Sequence, residues 1–396
     1  MHFTPTYADV GFDEMVLSEQ NGPGRWDDDY HRHLRAHGLG NRVDLTDQER
    51  EWRDLAPRAY WDSFGAAVSD LPEEHHSTTW VGDRAVEALD AWSDEGNLLM
   101  AGFVKPHHPF DPPASWARMY DPDALTLPDG WTEQILELRD RGGYFENAKL
   151  TEPALRRVMA MYYATISHVD HQVGRMVQAL RDAGLYDRTM IVFTADHGEY
   201  LGFHHMLLKG GTMYDPLVKV PLIVKWPGGR AAAEGAPRGR CEALVSNVDL
   251  APTILAAVGA EPAGPMAGID LAAEPHGRDA VFCEQGRGRD VMVRTPDRKL
   301  LLRPEGPPAL FDLQVDPLEM TDVAGEPAYA DDLAALTERA RRWALHQAVP
   351  PKHLDERAPI IDAPNAQGYD PARREQMIAY FRRDMARADA SLFAPR

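Results

Sequence analysis

Residues 189–228, TMIVFTADHGEYLGFHHMLLKGGTMYDPLVKVPLIVKWPG, decide how this chain is read. The stretch opens on an apolar run, residues 190–194, whose length and branched side chains suit a buried strand. That strand empties into Asp196-His197-Gly198. In an α/β protein the loops at strand ends carry chemistry, because the strand holds them rigid while they face a crevice. A carboxylate beside an imidazole offers a hard oxygen and a borderline nitrogen to a divalent ion. His204, His205 and Lys209 follow, and then a second strand-like run, residues 220–224, closed by Trp226-Pro227-Gly228.

Working outward, residues 153–183 give the clearest helix in the chain. Val169, Val173, Met176, Val177 and Leu180 recur at helical spacing, and Gly184 follows as a C-terminal cap. This helix feeds the strand at residue 190 through Tyr186-Asp187-Arg188, a helix-then-strand unit expected in a parallel sheet. His168-x-Asp170-His171 inside it reads as a polar helix flank, since no third ligand lies nearby. Upstream, residues 77–92 are helical in period, and residues 98–104 are a strand candidate. They run into Lys105-Pro106-His107-His108-Pro109-Phe110, where prolines fix the backbone. Two adjacent histidines there suit either an aimed imidazole or a surface loop. Residues 20–72 read as a long polar excursion with short helices, in which Asp27-Asp28-Asp29 marks a solvated helix start.

Downstream, Asp249 is expected to cap a helix with Pro252 in its first turn. Between residues 281 and 313 short alternating runs separated by turns predict a small antiparallel sheet, followed by a helix over residues 327–347. The tail carries a charged helix over residues 371–387, expected to pack on the body or on a second subunit as an oligomer contact. The domains expected are residues 1–275, an α/β body, and residues 276–396, a small sheet, helix and tail.

Composition narrows the classes. The 42 basic and 62 acidic residues give a net charge of -20, which argues against nucleic acid or an anionic membrane surface as partner. An anionic substrate then needs a pocket made locally positive by Lys, His and a metal. Cys241 and Cys283 form no disulfide framework and are expected as buried small apolar residues. No apolar run of 18 residues exists, and the first 20 residues lack the character of a signal peptide, so a cytoplasmic location is the default expectation.

The ordered set Thr-Ala-Asp196-His197-Gly-Glu, Leu201-Gly202-x-His204, Lys209 and Val220-Pro-Leu-Ile-Val resembles a signature block of the sulfatase family, within the alkaline phosphatase superfamily. Lys105-Pro106-His107-x-Pro109-Phe110 is similar to the family's active-site histidine loop. Residues 248–255 and 310–320 resemble its Val-Asp-Leu-x-Pro-Thr and Leu-Tyr-Asp-Leu-x-x-Asp-Pro segments. The resemblance implies an alkaline-phosphatase-like α/β/α sandwich with a smaller C-terminal antiparallel sheet plus helix. It further implies that Asp196 and His197 are metal ligands, that Lys209 contacts the sulfate or leaving oxygen, and that His107 is the proton donor. Ca2+ is the implied ion, with Mn2+ or Mg2+ as alternatives, and the substrate is a small-molecule or carbohydrate sulfate ester. Met1-His2 resembles the end of a Gly-Lys-x-His motif, which would make His2 an aid to turnover of a covalent intermediate.

The family's nucleophile, a formylglycine made in a Cys/Ser-x-Pro/Ala-x-Arg motif, has no counterpart here. Glu-Ala-Leu-Val follows Cys241 and Glu-Gln-Gly-Arg follows Cys283. The chain is therefore expected to begin part-way into the family's fold and to be inactive alone. The rival expectations are a phosphonate monoester or phosphodiester hydrolase, and a non-catalytic remnant that binds an anion or a partner.

Overall fold

The longest helix among the described residues lies in the first of two units in this computed structural model. The structure describes residues 11–18, 28–39, 58–92, 96–134, 145–228, 238–285, 290–303 and 306–346. His2 and residues 371–387 lie outside them. Residues 1–127, 149–183 and 350–396 form the first unit, and residues 128–148 and 184–349 the second.

In the first unit α1 is Asp29–Ala36, α2 Arg58–Asp62, α3 Ser77–Asp90 and α4 Glu152–Asp182. Thr151 caps α4 by accepting from Ala154 N and Pro153 sits in the first turn, while Gly184 beyond its end takes a left-handed φ of 69°, the C-terminal cap the sequence implies. Leu155, Val158 and Met159 near the start of α4 are fully buried. At its other end Val173, Met176 and Val177 are only half-buried. Gly82 lets α3 and α4 approach closely: a Cβ there would stand 2.4 Å from Gln172 Oε1. Asp83 and Arg175 close the same interface at 2.7 Å.

Three expectations fail here. His168 is no polar flank. It is fully buried, paired with Thr79 Oγ1 at 2.9 Å and stacked on Trp116, because α3 and the Trp116 turn cover that face of α4. Asp28 is also fully buried rather than solvated. It does start α1 as expected, but by accepting from both the His31 amide and the His31 ring. Residues 98–104 belong to no strand or helix among the described residues, and Leu98 and Met100 stand exposed.

In the second unit, β1 (Ile191–Thr194) pairs with β2 (Leu222–Lys225) antiparallel, with Thr194 opposite Leu222. The expected parallel helix-strand unit is therefore corrected: segment 195–221 folds back through α5 (Asp215–Val218) instead of crossing over as a long helix. α6 (Leu250–Val258) follows the turn Asn247–Asp249. Strands β3 (Val281–Gln285), β4 (Asp290–Arg294), β5 (Arg298–Leu302) and β6 (Ala309–Asp312) then form the predicted antiparallel meander in sequential order, and α7 (Ala330–His346) follows.

The alternation of a pleated strand splits this sheet between two cores. Met292, Leu301 and Phe311 face Tyr200, Phe203, Met206, Met213, Tyr214 and Leu217. Val293, Leu300 and Leu310 face Leu336 and Ala340 of α7. The sheet thus supports segment 200–217, which carries Lys209. Lys299 of β5 is fully buried and bridges Asp215 of α5 at 2.8 Å and Glu319 at 2.7 Å. Neither cysteine is paired, and Cys241, expected to be buried, is exposed.

Candidate functional site

β1 ends at Thr194, and Asn247 holds the chain just beyond it. Its side-chain amide donates to Ala195 O at 2.9 Å, and Thr194 Oγ1 lies 3.3 Å from its Oδ1. Asp196 and His197 come next, and Gly198 closes the turn by donating to Leu217 O at 2.7 Å. Only glycine fits there, since a Cβ would lie 1.9 Å from Pro216 O.

The turn fixes the tautomer of His197. Its Nδ1 faces Gly198 O at 2.8 Å; a carbonyl only accepts, so Nδ1 carries the proton and Nε2 presents a lone pair. Lys209 Nζ sits 3.2 Å from that lone pair and Asp196 Oδ2 3.8 Å from it. Asp196 Oδ1 meanwhile accepts from the His197 amide at 3.0 Å. One carboxylate oxygen and one imidazole nitrogen thus converge beside an ammonium. These donors fit two ligands of a divalent ion, and the Nδ1–H···O=C bond is the outer support such a histidine ligand takes. Among the described residues no third His, Cys or carboxylate joins them in a metal-sized cluster.

Between the turn and Lys209 the chain makes a tight loop in which Leu201, His204, His205 and Leu208 adopt left-handed φ values of 46° to 65°. Such values are costly for these side chains, and the loop is tied from several directions. Glu199 accepts from the amides of Leu201, at 3.1 Å, and Leu208. Although the residue as a whole is half-buried, burial of its carboxyl pushes the pKa up to about 7, against the opposing pull of those amides and Lys209. His204 and His205 are buried and anchor the loop. His204 Nε2 meets Leu318 O at 2.8 Å, and both ring nitrogens of His205 meet carbonyls, of Thr132 at 2.7 Å and Asn147 at 2.9 Å.

His107 belongs to the first unit and is described there by itself. Its Nδ1 faces His108 O at 2.7 Å; a carbonyl only accepts, so Nδ1 carries a proton. The two rings stack at 4.2 Å. The loop beneath is held by Lys105, 2% exposed, which donates to Pro109 O at 2.8 Å and pairs with Asp111. Phe110 is fully buried, and its backbone bonds to Gly65 and Ala67.

His197 and Lys209 are therefore brought together with Asp196 as the sequence suggests. The positioning residues Lys105, Glu199 and Asn247 were missed. Lys105 and Glu199 stood inside the sequence motifs as letters without a role, while Asn247 is distant in sequence and carries no local signal.

A family model described as Sulfatase matches residues 5–260. Over 356 residues the chain is 28% identical to an arylsulfatase of Clostridium perfringens (strain 13 / Type A), covering 84% of this chain and 71% of the relative. It is also 28% identical over 321 residues to the multifunctional alkaline phosphatase superfamily protein PehA of Trinickia caryophylli, covering 71% of this chain and 62% of PehA. The chain thus spans between three-fifths and three-quarters of the length of these curated relatives. The crystal structure of the phosphonate monoester hydrolase of Agrobacterium radiobacter superposes with a TM-score of 0.63 at 25% identity, over 80% of this chain and 68% of that one. A family match across most of the chain, together with a fold shared with its structural neighbours, shows that this protein belongs to the sulfatase family, within the alkaline phosphatase superfamily.

Proposed function

We propose that these residues form the ion- and ester-binding part of a sulfuric ester hydrolase. The observation that carries the reading is that His197 Nε2 stands 3.8 Å from Asp196 Oδ2 and 3.2 Å from the Lys209 ammonium. Asp196 and His197 would hold the divalent ion, Ca2+ first, with Mn2+ and Mg2+ as alternatives. When bound, that ion supplies positive charge to ester oxygens that gain charge as the S–O bond breaks.

Lys209 is exposed on a loop anchored at both ends, so its ammonium can follow a sulfate oxygen while its backbone stays fixed. His107 gives a proton from Nε2 to the leaving alkoxide, its other nitrogen being held by His108 O. A role for His2 rests on resemblance, since it lies outside the described residues. No residue of the 396 stands in the formylglycine pattern, so the proposal assigns binding and proton transfer to this chain and no nucleophilic attack. The substrate class is a small-molecule or carbohydrate sulfate ester, and the wider architecture is an α/β/α sandwich.

Calorimetric titration with Ca2+ and then with inorganic sulfate tests this reading. Calcium-dependent sulfate binding that His197→Ala weakens at least tenfold is the expected result; sulfate binding indifferent to both calcium and His197 overturns it. A second reading, a phosphonate monoester hydrolase, draws on the structural neighbour of that activity. It predicts tighter calcium-dependent binding of phenylphosphonate than of phenyl sulfate.

A further inference from the structure

Beyond the sulfatase reading, the first unit carries a cluster of three imidazoles that the proposed function does not use. His33 lies in the last turn of α1 and His37 caps its end, four residues on, so both share one helix face. His75 ends the turn Glu73–His75 that leads into α3. The rings pack at centroid separations of 4.3 Å, 4.7 Å and 5.1 Å. One nitrogen from each lies within 4.8 Å of the other two.

We propose that His33, His37 and His75 bind one first-row transition ion of the zinc class. Three features of the chain carry this. The first is that the lone pairs are available. His37 Nδ1 faces His33 O at 2.9 Å and must donate to it, which leaves Nε2 as a ligand atom backed by a carbonyl, the support metal-bound histidines take. His33 Nε2 and His75 Nδ1 stand 3.0 Å apart and share a hydrogen; an ion with bonds of about 2.0–2.1 Å to nitrogen takes its place with little movement of either ring.

Next, the framework is built. Tyr30 donates to His75 O at 3.0 Å, and Tyr30, Leu34, Leu71 and Trp80 form a buried core beneath the cluster, so helix and turn are already in place before any ion arrives. Finally, the field is right, because the carbonyl end of a helix favours a cation. The donor set also selects the ion: all three donors are imidazole nitrogens, which suit Zn2+, Cu2+ or Ni2+ and are poor ligands for Ca2+ or Mg2+. Three protein ligands leave the fourth tetrahedral position to water, and the ion would tie α1 to the start of α3.

The test uses the full chain, stripped with a chelator and titrated with Zn2+ in excess Ca2+, with Co2+ substituted for its ligand-field spectrum. The proposal expects one tightly held equivalent, a tetrahedral nitrogen-ligated Co2+ spectrum, and a melting temperature that rises with Zn2+. His37 is exposed, so His37→Ala should fold as the parent by circular dichroism while binding Zn2+ at least tenfold more weakly and losing the thermal shift. His75→Gln should do the same. Binding that survives His37→Ala overturns the proposal, as does absence of binding by the parent. Loss of zinc in Asp196→Ala/His197→Ala with retention in His37→Ala would place the ion on the other pair, and this too overturns it.

Discussion

Lys209 Nζ lies 3.2 Å from His197 Nε2, on the lone pair that a metal ion would occupy. Ammonium and ion compete for one atom, so the two residues should respond to substitution with opposite sign. His197→Ala removes a ligand and should weaken Ca2+ binding at least tenfold. Lys209→Ala removes the competitor and should leave Ca2+ affinity equal or higher, while sulfate binding falls. Paired calcium and sulfate titrations read both effects; a Lys209→Ala chain that loses calcium would contradict the geometry.

Gly198 packs against the backbone of α5, where a methyl group would overlap Pro216 O. Gly198→Ala must therefore push the Asp196–His197 turn off β1 or shift α5. We expect a loss of about 1–3 kcal/mol in urea unfolding, the usual range for overpacking, together with weakened Ca2+ binding.

Lys299, Asp215 and Glu319 make a buried ionic triad behind the site loop. Burial alone pushes the Asp215 carboxyl up, but Lys299 and Arg294 outweigh it and hold it below its ordinary value. Burial dominates at Glu319 and raises it. The signs differ. Asp215 contributes stability that is present above its unfolded value, about pH 4, and lost as pH falls through the lower folded value. Glu319 contributes stability that is full below its unfolded value and lost as pH rises through the raised one. Unfolding midpoints should fall below about pH 4 and soften again above it. In Lys299→Met the acid-side loss should shrink, with a cost at neutral pH of about 3–5 kcal/mol for stranding buried carboxylates. Denaturant titrations from acid to neutral pH check this.

Lys105 anchors the loop that carries His107 through Pro109 O and Asp111. Lys105→Met removes the cation from this buried pair and should cost about 3–5 kcal/mol. The His107 ring resonances should shift as the loop loosens, and unchanged imidazole resonances would refute the positioning role.

The long helix with Gly184 beyond its end, the meander over residues 281–312 and the Asp196–Lys209 block were legible in the sequence, because periodicity, capping and turn chemistry act over a few residues. Their local signals agree with the fold. The sequence also implied that Asp196 and His197 would sit at a strand end, and they do. It did not reveal that β1 and β2 run antiparallel, since apolar runs announce a strand without its direction or partner. Nor did it tell that His168 and Asp28 would be buried, because burial depends on what covers a face. The support that Asn247 gives to Ala195 and the meeting of His75 with His33 and His37 join residues far apart in sequence. Only the tertiary structure decided these, because such contacts form when distant segments are packed together, and no local preference of either segment encodes them.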